Sequence, residues 1–387
     1  MSPAVTPPVR EVAASMSQRL LWMIDHHRAG SGCLNYPLLL AVTGSIDHLP
    51  AALDAVVARH EALRTTYQRR KGRLLQLIHP ASPVPIVDGG VFSEAALDRE
   101  IATPIDARRG VLRVTYWRRG TNDHVLCVNT HHLSTDAVSS SVVTSELLRL
   151  LDNDTALPRV AWQYRHALEW QRRQRDDAAR AYWQAQLAGA AALPLAPGSE
   201  RGQVVFTMGA GAAQRLRTVA QQARTTLFTV LLSAYQAALA TEFGLDDVCV
   251  AAPFANRPRP EMMGTIGLFA NLVILRQRAA RRSLPHLVAD ATRVVAEARE
   301  HQHFAYAQLP AASGLGEAVF QLLPPLPPPV DRGNRRVSVL TPRVASRFPL
   351  ELTMISQGDK LLGIVQYASG RVDEAAARRL ADALTVG

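Results

Sequence analysis

The chain has 387 residues, 48% hydrophobic and 20% charged, a composition that fits a globular protein of two or three domain-sized units and excludes a small disulfide scaffold. Arginine and lysine outnumber aspartate and glutamate by 43 to 33, a formal charge of +10, and only Lys71 and Lys360 are lysine. The arginines are scattered, without a basic tail or interleaved aromatic residues, so an acidic or phosphate-bearing partner is expected and nucleic acid is not.

Residues 1–12 carry neither an apolar core nor a cluster of positive charge and read as a disordered start, not a signal peptide. A helical pattern follows over residues 11–27 and stops near Gly30 and Gly32. Tyr36 to Thr43 reads as a buried strand and Leu49 to Leu63 as a helix with Pro50 near its start. Strands are expected at Leu74 to Ile78, Val111 to Trp117 and His124 to Asn129. The last runs into His131 and His132, after which Asp136 to Leu151 returns to helical spacing. Tyr164 to Leu187 reads as one long helix, and the boundary between two halves is placed there, giving 13–170 and 171–387.

The second half repeats the same grammar. A strand at Gln203 to Met208 precedes helices at Gly211 to Arg224 and Leu227 to Phe243, then strands at Val248 to Pro253 and Leu272 to Arg276. Leu284 to His303 reads as a helix, Pro324 to Pro329 as an extended proline cluster, Ser356 to Tyr367 as a hairpin turning at Asp359, and Val372 to Leu384 as an amphipathic helix. The fold class is therefore α+β in two lobes. No stretch approaches the about 18 apolar residues of a membrane helix. Cys33, Cys127 and Cys249 are too few and too far apart for a disulfide framework or a zinc cage, so a reducing cytoplasm is expected.

The most specific local feature is His131-His132-Leu133-Ser134-Thr135-Asp136. Adjacent residues on a strand point to opposite sides, so one histidine is expected to be functional and the other structural. A neutral imidazole is a competent base near pH 7, and Asp136 can stabilise the junction by hydrogen bonds or an arginine pair. The plainer alternative is a pair of strand-end histidines satisfied by the backbone. Asp25-His26-His27 provides an internal control: it lacks an acid at the matching offset and reads as a helix end. No third ligand at a recognised spacing supports a metal. No GxSxG elbow surrounds Ser134 or Ser139 to Ser141, which read as a serine-rich helix start.

In this order the motifs resemble the condensation domains of nonribosomal peptide synthesis, within the chloramphenicol-acetyltransferase-like superfamily. The resemblance covers residues 13–387. Beside the HHxxxD hexapeptide it rests on Ser15-Met-Ser-Gln18-Arg-Leu-Leu21-Trp22 and on Arg59-His-Glu-Ala-Leu-Arg64-Thr-Thr-Tyr67. Further along it rests on Tyr164-Arg-His-Ala-Leu-Glu-Trp170, Asn256-Arg257-Pro, Ile266-Gly-Leu-Phe-Ala-Asn271, His301-Gln302 and Phe320-Gln321. Leu20 stands where the family usually has arginine, His166 where it has aspartate, and Ala137 where it has glycine. The segments at 193–204 and 301–348 look shorter than is common.

The resemblance implies two acetyltransferase-like lobes in a V-shaped pseudo-dimer, with a central channel that carrier-bound substrates enter from opposite faces. His132 would lie beside the attacking amine or hydroxyl, either taking its proton or positioning it. His131 would face into the lobe, and Asp136 would form a structural ion pair with Arg64 or Arg276. The Ala137 amide could still support an oxyanion, because alanine keeps the NH and a helix start adds a favourable dipole. The expected partners are acyl or peptidyl carrier proteins, and the phosphopantetheine arm belongs to that substrate; no intrinsic cofactor, no metal and a monomer are expected. Nothing resembles an adenylation domain or a carrier attachment motif, so a free-standing enzyme or an excised domain is expected. The rival readings are an acyl-CoA-dependent O- or N-acyltransferase of the same superfamily and a non-catalytic docking domain. An epimerase or a heterocyclising domain fits the motifs less well.

Overall fold

In the computed structural model of the protein, the strands Asn35–Thr43 and Asp123–His131 lie side by side at the centre of a six-stranded sheet, with Asn35 opposite His131. The structure describes residues 10–27, 32–174, 176–195, 201–278, 282–309, 314–325, 327–332, 334–342, 344, 346–368 and 372–386. In chain order the first elements are β1 (Arg10–Ala13), α1 (Met16–His27), β2 (Asn35–Thr43), α2 (Leu49–Arg59), β3 (Thr65–Arg70), β4 (Arg73–Ile78), β5 (Ile86–Val91) and α3 (Glu94–Ala102). Next come β6 (Leu112–Gly120), β7 (Asp123–His131), α4 (Ala137–Leu151), α5 (Tyr164–Arg172) and α6 (Asp177–Leu187).

The remaining elements are β8 (Arg201–Met208), α7 (Ala210–Gln222), α8 (Leu227–Phe243), β9 (Asp247–Phe254), β10 (Asn271–Arg278), α9 (Leu284–Glu300), β11 (Ala318–Leu323), β12 (Val330–Arg332), β13 (Arg335–Leu340), β14 (Leu350–Gln357), β15 (Lys360–Ala368) and α10 (Glu374–Val386). Gly358, at φ +62°, makes the turn between β14 and β15, beside the expected Asp359.

The chain packs into two units. Among the described residues, one holds those within 1–174, 255–270 and 327–344, and the other those within 175–254, 271–326 and 345–387. A single cut at residue 170 therefore does not describe the packing. Two later segments return to the first unit because β13 pairs with β2 and because 255–270 is pinned beside the start of α4. The proline cluster straddles one of these crossings.

In the first unit the sheet runs β12-β13-β2-β7-β6-β5 and a smaller one runs β1-β4-β3. Alternation along β2 and β7 sends Leu40, Val42, Leu126 and Val128 to the face covered by α2 and α4, while Leu39, Val125 and Cys127 pack with Leu97 and Ile101 of α3. In the second unit the sheet runs β10-β9-β11-β14-β15-β8. Its core is led by α8, which Thr226 caps at the start and Gly244, at φ +68°, closes.

Three expectations need correction. Residues 10–12 of the expected disordered start belong to β1, fixed by pairing with β4, while 1–9 lie outside the described residues. Tyr164 to Leu187 is two helices, α5 and α6. His60 ends α2 in an extended conformation, so Glu61–Arg64 is a separate 3₁₀ turn. Among the described residues no helix is long and apolar enough to cross a membrane.

Candidate active site

The two histidines part at the end of β7. His131 is the last residue of the strand, 1% exposed, and its Nδ1 accepts the Leu133 amide at 3.1 Å. A neutral His131 ring must then carry its proton on Nε2, which lies 3.5 Å from Asp25 Oδ2. His132 begins the turn, with its amide bonded to the Leu34 carbonyl at 2.8 Å. Its Nδ1 lies 2.7 Å from the Thr135 carbonyl, and because a carbonyl can only accept, Nδ1 bears the proton. In the neutral ring the basic lone pair then sits on Nε2. Tyr36 of β2 stacks on the imidazole at 5.0 Å between centroids and 22° between planes.

The turn is held from beneath by residues of two distant motifs. Gln18 Nε2 and Tyr67 Oη both donate to the Leu133 carbonyl, at 2.9 Å and 2.8 Å. Gln18 is fully buried and Tyr67 nearly so, and burial pushes the Tyr67 phenol well above its ordinary pKa, which keeps it a neutral donor. Both residues belong to motifs that carry the resemblance, but no role was expected of either.

Asp136, 1% exposed, is the N-cap of α4. Its Oδ1 accepts the Ser139 amide at 2.8 Å and Arg257 Nη2 at 2.9 Å, while Oδ2 accepts the amides of Phe269 and Ala270 at 2.9 Å and 3.2 Å. Arg257 also donates to the Thr265 carbonyl at 2.6 Å and lies 4.0 Å over the Phe269 ring. Burial pulls its guanidinium below the ordinary value, against the opposing pull of Asp136. Ser139 Oγ donates to the Gly267 carbonyl at 2.8 Å and accepts the Gly267 amide at 3.1 Å. A Cβ at Gly267 would collide with the Tyr164 ring, which explains a glycine in that motif.

The expected partners of Asp136 are therefore replaced. Arg64 donates instead to the His79 carbonyl at the end of β4. Arg276, on β10, pairs with Asp247 of the adjacent β9 and donates to the carbonyls of Gln186 and Ala188. Each guanidinium is taken by a nearer acceptor, and Arg257 of the Asn-Arg-Pro motif supplies the ion pair. Ala137 is the first residue of α4, exposed, and outside the left-handed region. The Asp136–Arg257 ion pair brings no net charge to the start of α4. No group of three or more His, Cys, Asp or Glu side chains among the described residues is arranged to hold a metal ion.

Residues 9–384 match the profile of the condensation domain family. The chain is 31% identical over 335 residues to chondramide synthase of Chondromyces crocatus, covering 78% of this chain and 8% of the synthase. It is 32% identical over 338 residues to the beauvericin nonribosomal cyclodepsipeptide synthetase of Beauveria bassiana, covering 78% of this chain and 11% of that protein. The chain thus spans a small part of the curated relatives it matches. The condensation domain of the monacolin K polyketide synthase MokA has the same fold, with a TM-score of 0.85, 20% identity, and coverage of 98% of this chain and 97% of that one. The sequence match over nearly the whole length and the shared α+β fold make this chain a member of the condensation domain family, whose members work with carrier protein domains in the assembly of peptide-type natural products.

Proposed function

We propose that this chain transfers an acyl or aminoacyl group from the phosphopantetheine thioester of a carrier protein to an amine. The observation that carries the reading is the His132 Nδ1–H bond to Thr135, which makes Nε2 the lone-pair nitrogen. In the proposed step Nε2 receives or orients the acceptor proton while the nucleophile bonds to the thioester carbon. The tetrahedral oxyanion is stabilised by the Ala137 amide at the positive end of α4, and its collapse expels the phosphopantetheine thiolate, which takes up a proton. His131 and Asp136 support this work without touching the reacting atoms. The basic surface favours an acidic carrier that bears a phosphate on its arm.

The test compares one acyl group on two donors. Intact-mass detection of acyl loss from phosphopantetheinylated carriers, with a panel of amines and alcohols, should show transfer to an amine that is far faster than from the same group on coenzyme A. Equal rates with both donors would favour the acyl-CoA enzyme. Carrier binding without turnover of any donor would favour a docking domain.

A further inference from the structure

Three residues, Tyr36, Thr130 and Thr135, close a circuit of contacts with His132. The Thr130 hydroxyl lies 3.1 Å from the Tyr36 carbonyl, an acceptor only, so Thr130 spends its one proton there. Thr130 Oγ1 also lies 2.7 Å from Thr135 Oγ1, so the Thr135 hydroxyl must donate to it. The Thr135 carbonyl in turn takes His132 Nδ1–H at 2.7 Å. The circuit closes where the ring of Tyr36, the residue whose carbonyl anchors Thr130, stacks on the imidazole.

Both threonines are buried, at 4% and 1% exposure. Thr135 lies after the last residue of β7 and before the first of α4. Its hydroxyl therefore ties the peptide that holds the imidazole to the rigid sheet residue Thr130.

We infer that Thr135, anchored by Thr130, is a positioning residue that fixes the Nδ1–H tautomer and orientation of His132. A histidine side chain in water favours the Nε2–H tautomer, in which the lone pair sits on Nδ1, so the protein must enforce the other form. The hydroxyl bond does this indirectly, by holding the carbonyl in place. Tyr36 restricts ring rotation from the face. The kinetic consequence rests on the acyl-transfer reading above; the tautomer does not.

The experiment uses the full chain with ¹⁵N-labelled histidine, the His132 resonances being assigned by their loss in His132→Ala. Wild type should show His132 protonated on Nδ1. Thr135→Val, which replaces the hydroxyl by a methyl group of similar size, should raise the Nε2–H population and lower kcat at least about tenfold with KM within about twofold, as expected for a misoriented base. Thr135→Ser should restore both. If the valine variant does not fold, Thr135→Ala carries the same reading. A folded variant with a lower melting temperature but the wild-type tautomer and kcat would overturn the inference, leaving Thr135 a purely structural role. If wild type transfers no acyl group, the acyl-transfer reading fails, and the tautomer measurement still decides this one.

Discussion

Arg257 Nη2 lies 2.9 Å from Asp136 Oδ1, with both side chains almost wholly withdrawn from water. The carboxylate accepts three backbone amides besides, so it joins the start of α4 to the segment 255–270. Removing one partner of a buried pair leaves an uncompensated charge, which costs about 3–5 kcal/mol. Asp136→Ala and Arg257→Met should each lower the melting temperature sharply, and the double variant should be less destabilised than the sum of the two. Additive losses in a double-mutant cycle would show that the pair is not coupled.

Ala137 stands at the first position of a helix with an ordinary helical backbone. Glycine there would gain no relief of strain and would add conformational entropy to the unfolded chain. Ala137→Gly should leave turnover within a few-fold and cost up to about 1 kcal/mol of stability. A large gain in both rate and stability would contradict this.

Glu146 on α4 supplies a pH dependence. Burial alone would raise its carboxyl, but the hydrogen bonds from His60, at 2.9 Å, and Arg59, at 3.0 Å, hold it below the ordinary 4.5. A carboxyl depressed on folding binds fewer protons in the native state, so its stabilisation is complete above about pH 4.5 and is lost as pH falls through the folded value. Glu146→Gln should flatten the acid limb of a melting-temperature profile measured from pH 7 to 3. An unchanged acid limb would remove Glu146 from the account.

Periodicity made β2, β7, α4 and most elements of the second unit legible, because each buries one face or a continuous apolar run. β3 was missed because TTYQRR has a buried pattern only at Thr65 and Tyr67, its remaining residues being half-buried or exposed. β1 escaped because four residues become a strand only through their pairing with β4. The break between α5 and α6 falls in QRRQRDD, which contains no proline or glycine to announce it.

The candidate site was legible as a hexapeptide, and its support was not. Arg257 is 121 residues from Asp136, and Gln18 is 115 residues from Leu133. Such pairings are set by how the segments pack, which no local spacing encodes. The ring nitrogen that carries the His132 proton likewise depends on the path of the turn at Thr135.

The central claim is that His132 Nε2 serves acyl transfer from a carrier-bound donor, and single-turnover intact-mass measurement with an acyl-loaded carrier and an accepted amine tests it most directly. Wild type should move the acyl group from carrier to amine, and His132→Ala should do so about a hundredfold more slowly or worse, with its melting temperature close to that of wild type. A folded His132→Ala protein that transfers the acyl group at the wild-type rate would contradict the account.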